Sequence, residues 1–311
     1  MGEEPGDVGP QLMGGLVAVT VSVVGEERVT GVRERLDGGG LVRRREPRDR
    51  FAEVSFDWVG DGVTAKGVTE RRFDVVRATR RIPGLVWMPE GTPHAPPLVL
   101  LGHGGTAHKR QDYIVGLARR LVRHHGFAAA AIDGPVHGER RDDGGSDSVA
   151  VGADFTRMWR EDPTMTDEMV ADWRGVLDAL QSPAVLGSVP VGWWGLSMGT
   201  ILGLPVVAAE PRISVAVLGL MGIAGPTKNR LGHDAALVRC PVLFLVQWDD
   251  ELFPRDRAFE LFSALDARDK RLHANPGSHV EVPEEEFRAS EQFLARTLAV
   301  RADHARGGSD G

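Results

Sequence analysis

The stretch Val189-Pro-Val-Gly-Trp-Trp-Gly-Leu-Ser-Met-Gly199 decides how the rest of the chain is interpreted. It begins as a short apolar run typical of a buried strand, and residues 195–199 fit the pattern G-x-S-x-G. A helix is predicted to open at Met198, so Ser197 stands at a tight turn from strand to helix. The two glycines relieve crowding at such a turn and leave the Oγ of the serine exposed. The stretch therefore predicts a nucleophilic serine.

Apolar runs and helical periods alternate along most of the chain. Strands are predicted at 97–102, 128–133, 189–196, 213–220, 242–248 and 270–274, and helices at 111–124, 166–180, 198–209, 255–265 and 283–300. Two earlier strands, 73–80 and 84–89, are expected to pair antiparallel around a turn at Ile82-Pro83-Gly84. Continuous apolar strands separated by amphipathic helices predict an α/β fold, with a mostly parallel central sheet and helices on both faces.

Changes in composition divide the chain into three parts. Residues 1–50 hold eight arginines from Arg28 to Arg50, three consecutive glycines and no sustained apolar period. We expect this segment to be a poorly packed N-terminal extension, although residues 17–24 alternate like a strand. Residues 51–300 are predicted to form the α/β domain, and residues 301–311 a disordered tail.

One insert inside the domain departs from the regular alternation. Residues 141–163 contain Phe155, Met158 and Trp159, which offer apolar surface to lie over a site. This segment is therefore a candidate lid.

Composition limits the partners that we expect. The 311 residues include 37 basic and 44 acidic side chains, for a net charge of −7, which argues against a nucleic-acid partner. The apolar run 15–24 is about half the length that spans a bilayer, so no membrane partner is expected either. The single cysteine, Cys240, allows no internal disulfide, and the acidic start differs from a secretory signal. These features favour the cytoplasm.

A nucleophilic serine needs a general base that is itself oriented by a carboxylate. His279 is the leading candidate for the base, because it lies in a loop after a predicted strand, whereas His273 falls within that strand. Asp250 follows the apolar run 242–247 at another strand end. The order serine, aspartate and histidine is the one that accompanies this kind of strand-to-helix turn.

From about Phe73 to Val300 the chain resembles the α/β-hydrolase superfamily, nearest to its branch of dienelactone hydrolases and small carboxylesterases. The resemblance implies catalytic roles for Ser197, Asp250 and His279.

The acid loop departs from the family pattern in one respect. The family commonly writes this acid as G-x-x-D followed four residues later by proline. Pro254 therefore selects Asp250, but Gln247 stands in the place of the glycine. This departure leaves Asp249 open as an alternative.

The resemblance also implies an oxyanion site. Gly102-His103-Gly104-Gly105 stands where the family has its HGG loop, and the backbone N–H groups of Gly105 and Met198 are the implied donors, with Gly104 beside them. His103 is expected to orient this loop. Asp133-Gly-Pro-Val-His137-Gly138 resembles the family's D-x-x-G-H-G segment at the pocket rim. His103 and His137 are both candidates for substrate contact.

The sequence thus predicts a serine hydrolase that cleaves a carboxylic ester of a small to medium acyl substrate through an acyl-enzyme. No metal motif or phosphate loop is present in the sequence, and no cofactor is expected. The same groups would serve a thioesterase, a peptidase or an acyltransferase, and the fold alone would also serve a non-catalytic ligand-binding protein. The sequence leaves the oligomeric state undetermined.

Overall fold

The computed structural model describes residues 54–91 and 95–307. The expected N-terminal extension, with its strand-like run at 17–24, lies outside the described residues. The described strands are β1 (Val54–Ala65), β2 (Val68–Arg77), β3 (Arg80–Pro89), β4 (Leu98–Gly102), β5 (Ala128–Ile132), β6 (Val191–Gly195), β7 (Ile213–Gly219), β8 (Val242–Gln247) and β9 (Lys270–Asn275). The described helices are α1 (Asp112–His125), α2 (Ser148–Glu161), α3 (Met165–Leu180), α4 (Met198–Ile201), α5 (Gly203–Ala209), α6 (Lys228–Ala235), α7 (Arg255–Ala264) and α8 (Glu284–Gly307).

These strands form one sheet in the order β1-β2-β3-β5-β4-β6-β7-β8-β9. Pairing is antiparallel from β1 to β5 and parallel from β5 to β9. Two apolar clusters lie on opposite faces, one including residues of α3 and α7 and the other residues of α1 and α8. The predicted mostly parallel sheet with helices on both faces is confirmed.

The predicted turn between the first two strands was misplaced. The structure puts this turn at Ala78 and Thr79, and Pro83 lies inside β3. Proline has no N–H to donate, which usually excludes it from a paired strand. Here the ladder with β5 begins only at Gly84, so Pro83 stands just outside it.

Other differences concern elements with weak sequence signals. The sequence did not predict β1, which exposes most of its residues, or α6. The segment 141–163 contains α2, which begins after Asp147, whose carboxylate accepts a hydrogen bond from the N–H of Val149. The tail expected over residues 301–311 is helical as far as Gly307, and residues 308–311 lie outside the described residues.

The parallel part of the sheet determines where a site can form. The carboxyl ends of the parallel strands lie at the same edge of the sheet, so the loops that follow β4, β5, β6, β8 and β9 gather there.

None of the helices in residues 54–91 and 95–307 is long and apolar enough to cross a membrane.

Candidate active site

Ser197 lies at a strained turn between β6 and α4. Its backbone has φ 58° and ψ −119°, a conformation that residues other than glycine rarely adopt. The glycines on either side are required by close approach, since a Cβ on Gly195 would lie 2.6 Å from the carbonyl oxygen of Gly199. A Cβ on Gly199 would lie 2.6 Å from the carbonyl oxygen of Gly102. This backbone therefore specifies glycine at both positions.

The side chain of Thr200 fixes this turn by hydrogen bonds to the backbone, a role that the sequence did not indicate. Its buried Oγ1 lies 2.9 Å from the carbonyl oxygen of Gly195 and 2.8 Å from that of Gly219, and it accepts the N–H of Gly219 at 2.8 Å. The N–H of Ser197 also donates to the carbonyl oxygen of Gly219 at 3.0 Å. The strained turn is thereby fixed to the end of β7.

The three residues predicted from the serine, acid and histidine loops come together. The Nε2 of His279 lies 2.9 Å from the Oγ of Ser197, and its Nδ1 lies 2.8 Å from the Oδ2 of Asp250. The side chains of His279 and Asp250 are 6% and 3% exposed, so both are shielded from water. His273 is elsewhere, with its Nδ1 2.9 Å from the Oε2 of Glu286.

The two neighbouring aspartates have different surroundings. The second oxygen of Asp250 accepts the N–H groups of Leu252 at 2.9 Å and Phe253 at 2.8 Å. Asp249 instead faces the backbone N–H of Gly277, with its Oδ2 at 3.4 Å. The geometry therefore favours Asp250 as the partner of the imidazole.

The glycine-rich loop after β4 presents one of the two implied oxyanion donors. In the described ranges, the N–H groups of Gly105 and Met198 have no hydrogen-bond partner, and Met198 is the first residue of its helix. A Cβ built on Gly105 would lie 3.8 Å from the Cβ of Met198, so the two groups are neighbours. The N–H of Gly104 instead donates to the Oη of Tyr113 at 2.7 Å, which removes it from the candidate donors.

His103 holds the peptide that carries the Gly105 N–H. Its Nε2 accepts the N–H of Gly134 at 2.8 Å, so the ring proton resides on Nδ1 and is donated to the carbonyl oxygen of Gly104 at 2.8 Å. Burial lowers the pKa of His103 to about 3, which keeps the ring neutral. Both nitrogens are used by the backbone, which leaves none for a substrate.

His137 is likewise turned toward the backbone. Its Nε2 lies 2.9 Å from the carbonyl oxygen of Gly105, and its Nδ1 lies 2.6 Å from that of Pro135. Burial lowers the pKa of His137. The structure therefore places both candidates for substrate contact against the loops that frame the site.

A buried ion cluster, which the sequence analysis did not predict, ties these loops together. The Nζ of Lys109 forms an ion pair with Asp133 and lies 2.9 Å from the Oε1 of Glu139. The carboxylate of Asp133 also accepts the backbone N–H groups of Lys109 and Glu139, each at 2.9 Å. Burial by itself raises the pKa of Asp133, but the charge and hydrogen bonds of Lys109 outweigh it, and the pKa lies below its usual value.

Helix α2 covers the loop of Gly105 with the ring of Phe155. The Cδ1 of Phe155 would lie 3.6 Å from a Cβ on Gly105, and its ring stacks on Trp159 with centroids 6.0 Å apart. The Nε1–H of Trp159 donates to the Oγ1 of Thr227 at 2.9 Å. A Cβ on Gly225 would lie 2.3 Å from the Trp159 ring, so the indole packs directly on the backbone. These contacts hold the C-terminal half of α2 between the loop of Gly105 and the segment of Gly225 and Thr227.

Comparison with solved structures shows proteins with the same architecture. The chain is similar to a cold-adapted esterase from an Arctic intertidal metagenomic library, in its PEG-bound complex, with 44% identity over 78% of this chain and 99% of that chain and a TM-score of 0.70. The native structure of such an esterase aligns with 41% identity over the same shares and a TM-score of 0.66.

More distant structures share the fold. A dienelactone hydrolase from Anabaena variabilis has 18% identity over 75% of this chain and 98% of that chain, with a TM-score of 0.56. Acetyl xylan esterase 1 from a Thermoanaerobacterium species has 14% identity over 79% of this chain and 88% of that chain, with a TM-score of 0.58. No family model and no curated protein matches the chain.

Proposed function

Since the chain belongs to the α/β-hydrolase superfamily as a serine hydrolase that cleaves ester bonds, we propose that Ser197, His279 and Asp250 are its catalytic triad. The observation that carries this proposal is the continuous path from the Oγ of Ser197 to the Nε2 of His279 at 2.9 Å and from its Nδ1 to Asp250 at 2.8 Å. The positive φ at Ser197 supports it, because it is the conformation of an exposed nucleophile.

The first half of the proposed reaction forms an acyl-enzyme. The Oγ of Ser197 attacks the ester carbonyl carbon while the Nε2 of His279 takes its proton. Asp250 holds the ring so that the Nδ1–H points to the carboxylate, and its charge stabilises the imidazolium. The N–H groups of Gly105 and Met198 donate to the oxyanion. The tetrahedral intermediate then expels the alcohol, which takes the proton from the Nε2 of His279.

The second half releases the acid. Water attacks the acyl carbon as His279 accepts a proton from it, and a second tetrahedral intermediate forms at the same oxyanion site. This intermediate expels the Oγ of Ser197, which recovers its proton from the imidazolium. Each step uses a group of this chain or water, so the proposed mechanism uses no cofactor.

The substrate that we propose is a small-molecule ester with a small to medium acyl group. Support comes from the ring of Phe155, which lies against Gly105 in the implied oxyanion loop and stacks on Trp159, so that α2 restricts the space over this loop. We further propose that residues 51–300 are the catalytic domain, with 141–163 as its lid segment, and that the protein acts in the cytoplasm. The single cysteine is compatible with that compartment.

The experiment that tests this proposal compares wild-type protein with Ser197→Ala on p-nitrophenyl acetate, an acetyl thioester and an aminoacyl amide. The ester is expected to be turned over best, and the variant should lose about 10⁴- to 10⁶-fold in kcat while keeping its circular dichroism spectrum. If the variant keeps more than a tenth of the wild-type rate, the assignment of the nucleophile is wrong. Higher kcat/KM on the thioester or the amide would replace the proposed substrate class.

A further inference from the structure

The side chain of Gln247 connects the acid loop to the loop that carries His279. Gln247 ends β8 and is 1% exposed. Its Nε2 lies 2.7 Å from the carbonyl oxygen of Glu281 and 3.3 Å from those of Pro276 and Ser278. One amide group therefore reaches carbonyls on both sides of His279.

Chemistry fixes which end of the Gln247 amide faces the loop. Three carbonyl oxygens only accept hydrogen bonds, so the NH₂ end must point toward them. The Oε1 of Gln247 is buried and has no hydrogen-bond partner in the described part of the chain. A buried acceptor without a partner lowers the stability of the folded protein. The hydrogen bonds that the Nε2 of Gln247 donates have to offset this loss.

Glu251 holds the same loop from the other side. Its Oε2 accepts the backbone N–H of His279 at 2.9 Å. Glu251 itself is exposed, so its side chain adds little to the core. The carbonyls around His279 are thus bound by Gln247, and the N–H of His279 is bound by Glu251.

We propose that Gln247 and Glu251 are positioning residues that fix the backbone of His279, so that its ring spans Ser197 and Asp250. The inference rests on the triad of the proposed function. Both ring contacts are at hydrogen-bond length, and misplacement by about 1 Å at a reacting group can reduce a rate by about 10²-fold. The family pattern has glycine at the position of Gln247, and glycine has no side-chain amide that could make these contacts.

The first test replaces Gln247 with Met, whose side chain has a similar length and shape but no N–H donors. Val246→Ala is the matched control, because Val246 is the buried apolar neighbour of Gln247 on β8. Thermal unfolding, kcat and KM are measured for both on p-nitrophenyl acetate. We expect kcat of Gln247→Met to fall about tenfold or more with KM within about twofold. Val246→Ala should lose stability and keep kcat within about twofold. If Gln247→Met keeps wild-type kcat, Gln247 only fills space.

The second test uses the exposed Glu251, where folding is not at risk. Glu251→Ala removes the acceptor, whereas Glu251→Gln keeps an amide oxygen that accepts the N–H of His279. We expect kcat to fall about fivefold or more in the alanine variant and to return to within about twofold in the glutamine variant. Equal kcat in both variants and wild type would overturn the role of Glu251.

His279→Ala separates this inference from the proposed function. If His279→Ala is inactive while Gln247→Met and Glu251→Ala are fully active, the triad stands and the positioning inference fails. If His279→Ala keeps more than a tenth of the wild-type rate, the proposed function itself is wrong.

Discussion

The Nδ1 of His279 lies 2.8 Å from the Oδ2 of Asp250, although Asp249 is the adjacent residue and carries the same side chain. Both aspartates follow β8, which ends at Gln247, and the turn there directs only one of the two carboxylates to the imidazole. Asp249 faces the N–H of Gly277 instead. The functions of the two residues are therefore expected to differ sharply.

Asp250→Asn should lose about 10⁴-fold in kcat, because the amide keeps the size of the side chain but removes the charge and favours the wrong histidine tautomer. Asp249→Asn should stay within about tenfold of wild type, about 1.4 kcal/mol of barrier. Measurement of kcat/KM for both variants on one short-chain ester checks this prediction. The reverse ranking would move the acid to Asp249 and leave Ser197 and His279 in place.

The ring of Phe155 should limit the length of the acyl group. It lies against Gly105, where a Cβ would be 3.6 Å from its Cδ1. We expect wild-type kcat/KM to fall steeply from acetyl and butyryl to octanoyl and palmitoyl p-nitrophenyl esters. Phe155→Ala should raise the octanoyl-to-acetyl ratio by about tenfold, which is about 1.4 kcal/mol of barrier.

Phe262→Ala is the control for this experiment, since Phe262 packs on Phe244 at the α7 side of the sheet. It removes an aromatic ring from the fold without changing Phe155 or Trp159, so the octanoyl-to-acetyl ratio of kcat/KM should stay at the wild-type value. Equal or higher wild-type activity on palmitoyl esters would contradict the small-substrate assignment, and an unchanged ratio in Phe155→Ala would remove Phe155 from the pocket wall.

Acid should destabilise the fold through His103. Burial lowers the pKa of His103 to about 3 in the folded protein, whereas an unfolded histidine has a pKa of about 6.5. Between these values the unfolded chain binds a proton that the folded chain excludes, so the free energy of unfolding decreases as pH falls below about 6.5. Above that pH the contribution of the neutral ring is fully present.

Urea unfolding at pH 7.5 and 5.0 measures this effect. His103 should contribute about 2 kcal/mol to the difference between the two pH values. His125 and His137, whose pKa values burial also lowers, act in the same direction and remain in the variant. His103→Gln should therefore show a pH difference smaller than that of wild type by about 2 kcal/mol. An unchanged difference would show that His103 is not protected from protonation.

Local sequence patterns were enough to predict the parallel strands and most helices. They also singled out Ser197, Asp250 and His279, which the structure brings within hydrogen-bond distance of one another. These features have signals in short stretches, such as the apolar run before Gln247 and the glycines around Ser197. The turn at Ala78 was missed because Pro83 is a strong turn signal whose cost depends on where the ladder with a distant strand begins.

The supports of the site could not be predicted in the same way. Lys109 and Asp133 are 24 residues apart, and Gln247 is 34 residues from Glu281, so these contacts exist only once the sheet is assembled. Nothing in the local sequence distinguishes Lys109 from a solvent-exposed lysine. The departure from glycine at Gln247 was visible in the sequence, but its meaning depends on the carbonyls of a loop that follows another strand.

Residues 1–45 should be dispensable, because their sequence lacks the period of a core element. A protein that begins at residue 46 is expected to fold and to keep kcat/KM within about twofold of the full chain. Gel filtration and ester kinetics on both proteins check this expectation. Aggregation of the shortened protein would show that residues 17–24 contribute a strand or a contact between copies.

Phosphonylation of Ser197 tests the central claim most directly. A fluorophosphonate reacts much faster with an activated serine than with an ordinary one, so incubation of wild-type protein should add one phosphonyl group by intact mass, and peptide mapping should place it on Ser197. Ser197→Ala should gain no mass, and His279→Ala should react at least about 10²-fold more slowly, because the general base is lost. A wild-type protein that stays unlabelled, or that carries the label on another serine, would contradict the account.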